Sequence, residues 1–158
     1  MLTIVDKTDL GLLGRLIRDG RTSWVVLARE LGLTPPAIAA RVRRLVRLGV
    51  IRQFSAYVDA EAMGAITTFV DVVFAHADGH DHFRQSIARL VAVQECHRIA
   101  GGAHYRLKVR TRSKDELELL LNSALPTSAP GATFHVSMVL STVKESPVFP
   151  LPREARRQ

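Results

Sequence analysis

An α+β chain in two parts is predicted by three observations. Two helical stretches, Ser23–Gly32 and Thr34–Gly49, are joined through a glycine and preceded by a third at Asp6–Asp19. Residues 66–141 then alternate between element types in the order βαββαβ. The charge is divided in the same way: residues 1–60 hold ten Lys/Arg against five Asp/Glu, and residues 61–152 hold nine against nine. The expected architecture is an N-terminal three-helix helix-turn-helix unit of winged-helix-like type over residues 1–60, with a linker strand. A C-terminal ferredoxin-like βαββαβ sandwich follows over residues 61–146, and residues 147–158 read as a disordered basic tail.

The first helix is carried by Leu10, Leu13, Leu16 and Ile17 at helical spacing, with Gly20 as its stop. The second, Trp24–Leu31, has Ser23 placed to cap its free amides and Gly32 to end it. The third opens on Thr34 as cap and Pro35 at the first helical position, where a missing N–H costs nothing, and closes at Gly49. Val50–Val58 mixes Ile51, Phe54, Tyr57 and Val58 with polar residues and reads as a strand leaving the unit.

Within the third helix Ile38, Val42 and Leu45 form one apolar stripe, which must pack on the rest of the unit. At about 100° per residue the opposite face holds Pro36, Ala40, Arg43 and Arg47, flanked by Ala37, Arg41 and Arg44. That face has arginines and no carboxylate of its own. A solvated helix surface ordinarily mixes both signs, so an unmixed arginine face after a short turn points to neutralising phosphates of double-stranded DNA. The expected DNA-contacting residues are Ser23, Thr34, Pro36, Ala37, Ala40, Arg41, Arg43, Arg44 and Arg47. The small side chains of Ala37 and Ala40 would permit close approach to base edges.

The second part begins with a nearly continuous apolar strand, Thr67–Ala75, and a helix marked by Phe83, Ile87, Leu90 and Val91. Val93–Ala100 is the next strand. Tyr105, Leu107, Val109 and Thr111 alternate with Arg106, Lys108, Arg110 and Arg112 in the clearest strand of the chain. A capping box, Ser113-Lys-Asp-Glu116, precedes a helix carrying Leu117, Leu120, Leu121 and Ala124, and Phe134–Ser141 is the last strand. Helices cover one face of such a sheet. The other is expected to carry apolar residues from the first and last strands and to be covered by a second copy, giving at least a homodimer.

Several tempting features carry less. The single cysteine, Cys96, cannot form an internal disulfide, so nothing in the cysteine content points to an oxidising compartment. The first ten residues lack an apolar signal core, and the uncharged run Leu119–Val143 is broken by Pro126, Pro130 and Gly131, so a soluble cytoplasmic protein without membrane contact is expected. His76, Asp78, His80, Asp81 and His82 crowd one loop, but polar residues belong there, and no metal or other cofactor is expected. Cys96 and His97 are adjacent on a strand, point to opposite faces and cannot pair, and no catalytic residue is expected.

The run ARELGLTPPAIAARVRRLVRLGVI, followed by QECHRIAGGAHYRLKVR and LSTVKES, resembles the Lrp/AsnC family of feast/famine transcriptional regulators from about Val5 to Ser146. The resemblance implies a regulator whose dimers assemble into octamers or similar rings, bind operator DNA and respond to amino acids. It places a small-molecule effector between dimers at Ala100, Gly101, Gly102, Ala103, His104 and Tyr105. The family pattern at this turn is Gly-Asp-aromatic-Asp-Tyr, and this chain departs from it with Gly101-Gly102-Ala103-His104-Tyr105. Both acidic positions are lost, and with them the charge-assisted partner of an ammonium group. Three readings stay open: an amino acid held by backbone groups, a different ligand with His104 donating to an acid, or a vestigial site.

Two other functions share parts of this pattern. A siroheme-decarboxylase-like enzyme would use His97 or His104 but has no use for the arginine face. An architectural DNA-compacting protein would share the DNA chemistry and differ in the ratio of specific to unspecific affinity.

Overall fold

Two aspartates three residues apart start the first helix. In the computed structural model, which describes residues 5–75, 79–102 and 104–151, the Asp6 carboxylate accepts the Asp9 N–H at 2.8 Å and the Asp9 carboxylate accepts the Asp6 N–H at 3.0 Å. This reciprocal cap satisfies amides that a helix start leaves open and sets α1 (Lys7–Leu16). The helix stops short of Asp19, where the chain turns and the Asp19 carboxylate accepts the Arg21 N–H.

Ser23 caps α2 (Trp24–Leu31), accepting the Val26 N–H at 3.3 Å. Gly32 ends it at φ 66°, a left-handed conformation that a Cβ would strain, and the Leu33 N–H returns to the Ala28 carbonyl at 2.8 Å. The Thr34 hydroxyl then caps α3 (Pro35–Arg47). Leu12, Leu13 and Leu16 of α1, Leu27 and Ala28 of α2, and Ile38, Val42 and Leu45 of α3 close into one core.

The chain forms two units, each with its own core. One runs to Tyr57 and takes in the segment from Lys144; the other spans Val58–Val143. In the first, Leu151 packs on the three-helix core and its Cδ1 lies 3.5 Å from where a side chain on Gly14 would begin. Of the stretch read as a tail from residue 147, residues through Leu151 are thus described, and residues 152–158 lie outside the described residues. The strand expected over Val50–Val58 is not formed: residues 52–59 are exposed and carry no ladder. A strand exists only by pairing, and among the described residues no neighbouring strand flanks this segment.

The second unit contains β1 (Ile66–Val73), α4 (His80–Ile87), β2 (Val93–Arg98), β3 (Tyr105–Thr111), α5 (Lys114–Leu119), α6 (Leu125–Ser128) and β4 (Thr133–Met138). Its strands lie in the order β2-β3-β1-β4, all antiparallel, which is the ferredoxin-like arrangement. Val70, Val72, Tyr105, Leu107 and Val109 of the sheet pack on Phe83, Ile87, Leu117, Leu120 and Leu125 of the helices. Pro126 does not end the helical run. It lacks an N–H and crowds the carbonyl four residues back, and the turn Leu120–Ala124 widens so that the Leu125 N–H reaches the Leu120 carbonyl.

The sheet face turned away from the helices differs from the apolar surface expected. Phe134, Val136 and Met138 stand opposite Val72, Val70 and Thr68, and directly opposed residues share a face, so the apolar side chains of β4 lie on the helix side. The other face carries Asp71, Glu95, His97, Arg106, Lys108 and His135 beside Phe69 and Val73. Arg106 holds Asp71 through two bonds of 2.7 and 2.8 Å, and Glu95 bonds His97 at 3.0 Å and Lys108 at 3.5 Å. A bulge between Val93 and Glu95 makes this possible. It sets Val93 opposite Val109 on the core side and Glu95 opposite Lys108 on the charged side.

Candidate functional site

The apolar stripe of α3 is buried, which fixes the rest of the helix. Pro36, Ala40, Arg43 and Arg47 are exposed along one strip, with Thr34 exposed at its start and Ala37 half-buried on its flank. Ser23 is exposed at the start of α2.

The flanking arginines have a different environment. Arg41 Nη1 donates to Asp6 at 2.6 Å and to Asp9 at 2.8 Å, and Arg44 bonds Asp9 as well. Asp9 is fully buried, whereas the side chains of Arg41 and Arg44 retain 29% and 36% exposure. The Arg41 guanidinium holds the Asp6 carboxyl below its usual range, and the same bonds hold the Arg41 charge more firmly. Two of the four arginines on the sequence-predicted face therefore clip α3 to the first turn of α1. Arg43 and Arg47 have no charged partner among the described residues.

Sequence reasoning missed this clip because its carboxylates lie 32 and 35 positions away. A signal was present in the Asp6-x-x-Asp9 spacing of a capping box, which places two carboxylates at one helix start.

The turn expected to hold an effector lies between β2 and β3. Gly101 and Gly102 are exposed, Gly101 with φ 125°, and the Ile99 N–H donates to the His104 carbonyl at 3.1 Å. Ala100 is exposed beside them, and Ala103 lies outside the described residues. The His104 Nδ1 accepts the Phe74 backbone N–H at 2.9 Å, which places the ring proton on Nε2. Tyr105 is buried, its hydroxyl 3.1 Å from His80 Nδ1. Of the histidine-rich loop, His76 and Asp78 lie outside the described residues; His80 pairs with Tyr105, and His82 bonds Ser86 at 3.4 Å. Cys96 and His97 point to opposite faces, opposite Leu107 and Arg106 respectively, and partial burial pushes the Cys96 thiol up.

A capped helix-turn-helix with an outward arginine pair, followed by a ferredoxin-like unit with a polar loop cluster, defines a DNA-binding protein with an appended ligand domain. The chain belongs to the Lrp/AsnC family of transcriptional regulators. The AsnC-type helix-turn-helix domain matches residues 5–46 and the Lrp/AsnC ligand binding domain matches residues 67–149. The HTH-type transcriptional regulator LrpC of Bacillus subtilis is 33% identical over 77% of this chain and 85% of its own. The Mycobacterium tuberculosis leucine response regulatory protein LrpA superposes with a TM-score of 0.84 at 30% identity, covering 94% of this chain and 100% of that one. A feast or famine regulatory protein of the same organism, complexed with L-methionine, gives 0.78 at 31% identity and covers 89% and 95%. Membership in a family of transcriptional regulators sets aside the decarboxylase alternative. No described helix is long and apolar enough to cross a membrane.

Proposed function

We propose that this regulator reads duplex DNA with the outer strip of α3. Thr34, Pro36, Ala37 and Ala40 approach the bases, Arg43 and Arg47 meet the phosphates, and Ser23 adds a contact from the start of α2. The observation that carries this reading is the division of the arginines: Arg41 and Arg44 are bonded to Asp6 and Asp9, while Arg43 and Arg47 stand exposed without a charged partner among the described residues. Arg41 and Arg44 act as positioning residues. A homodimer working in the cytoplasm would present two such helices to successive major grooves and assemble further into rings. The residues from Ala100 to Tyr105 would receive a small effector that biases this assembly; the L-methionine complex of a related regulator supports that role.

Fluorescence anisotropy on operator DNA across a salt titration tests the assignment. Arg43→Ala and Arg47→Ala each lower the slope of log affinity against log salt by about 0.9. Arg41→Ala instead lowers thermal stability. An unchanged slope in both outer variants overturns the assignment of this strip.

A further inference from the structure

The Val58–Val143 unit holds a cleft of about 530 Å³ between the start of α4 and the ends of β2 and β3. Its floor is Tyr105, buried against Phe74 and Phe83, with ring centroids 6.1 and 4.8 Å away. His80 stands over that floor, bonded to the Tyr105 hydroxyl and stacked 4.5 Å from Phe74. Arg84 and Arg98 complete the charged lining.

The lining is unbalanced in a way that selects a ligand. Its carboxylate, Asp81, is bonded to Arg84, so that pair is neutral. Arg98, exposed at the end of β2, has no charged partner among the described residues. His104 lies next to the cleft, its ring centroid 5.5 Å from that of His80, and its proton is held on Nε2, where it can be donated. An ammonium group entering here would meet a guanidinium and a carboxylate already occupied. A carboxylate would meet a planar fork that matches its two oxygens.

We infer that this cleft binds a small organic carboxylic acid without an α-ammonium group, its carboxylate on Arg98 and its body against Tyr105 and His80. The inference rests on the reading of this unit as an effector domain and specifies the chemistry of the effector. Calorimetric titration of the full chain with 4-methyl-2-oxopentanoate and with L-leucine compares one carbon skeleton carrying an oxo group or an ammonium. DNA anisotropy is measured with each compound. The oxo acid binds at least about tenfold more tightly than leucine, and Arg98→Gln removes at least about tenfold of that affinity without moving the thermal midpoint. Leucine binding more tightly than the oxo acid, indifferent to Arg98 and shifting DNA affinity, overturns the acid cleft and leaves the effector reading intact. Binding of the oxo acid through Arg98 with no shift in DNA affinity upholds the cleft and overturns the effector reading. If neither compound binds at about 10 mM, a free energy of only a few kcal/mol, both fall.

Discussion

The outer face of α3 and the open face of the sheet are both basic in sequence, yet the fold treats them oppositely. On the sheet, antiparallel register brings Asp71 opposite Arg106 and the bulged β2 brings Glu95 opposite Lys108. The strongest of these contacts, the two-bond Asp71–Arg106 pair, holds the aspartate below its usual range and the arginine above it. The His97 bond, helped by the Lys108 charge, does the same for Glu95. On α3, the turn of the helix divides four arginines into two that meet the carboxylates of α1 and two that meet none among the described residues. A count of basic residues measures neither surface. What remains available to phosphate is the guanidinium for which the fold supplies no carboxylate.

The inner clip carries the largest expected effect. Asp9→Ala leaves Arg41 and Arg44 without their buried partner and costs the three-helix unit about 3 kcal/mol. Urea unfolding followed through the single tryptophan, Trp24 of α2, measures it; a midpoint equal to that of the parent would mean that the clip is idle. On the outer strip, Ala40→Glu places a negative charge among the proposed DNA contacts, on the same exposed strip as Arg43 and Arg47. DNA affinity falls at least about tenfold while the Trp24 transition stays in place. Loss of both together would show that the strip is structural.

A pH titration separates the clip from the strip next. The folded Asp6 carboxyl lies below its unfolded value, so its contribution is present above about pH 4 and is lost as pH falls through the lower folded pKa. Asp6→Asn flattens the acid limb of the stability profile below about pH 4. An acid limb identical in parent and variant would remove Asp6 from the clip. The smallest effect belongs to the sheet: Arg106→Gln breaks an exposed pair and leaves both the thermal midpoint and the salt slope of DNA binding where they were. A change in that slope comparable with Arg43→Ala would erase the distinction between the two faces.

Features governed by near neighbours in the chain were legible before any coordinates. Ser23, Thr34 and Ser113 cap the helices expected of them, because a cap bonds to an amide three residues on. The strand Tyr105–Thr111 follows from its alternation, and the apolar stripe of α3 from its period. The box expected at Ser113 is half-made: Glu116 reaches past its cap to the Arg112 N–H, and that main-chain bond holds its carboxyl below the usual range. The exposed strip of the candidate DNA site was visible for the same reason as the stripe, since one face of a helix fixes the other. The cleft beside Tyr105 was not, because His80, Arg98 and Tyr105 come from three elements and meet only when the sheet forms.

Chain order and period therefore determined the helices and the order of strands, and the motifs they carry pointed to the family whose domains the chain matches. The tertiary structure alone decided which arginines of α3 face carboxylates, on which side of the sheet the last strand places Val136 and Met138, and that Leu151 joins the first core. The physical reason is range. Capping and amphipathic periodicity act within a turn or two, whereas an ion pair, a strand register or a buried leucine depends on residues tens of positions apart, whose meeting no local pattern encodes.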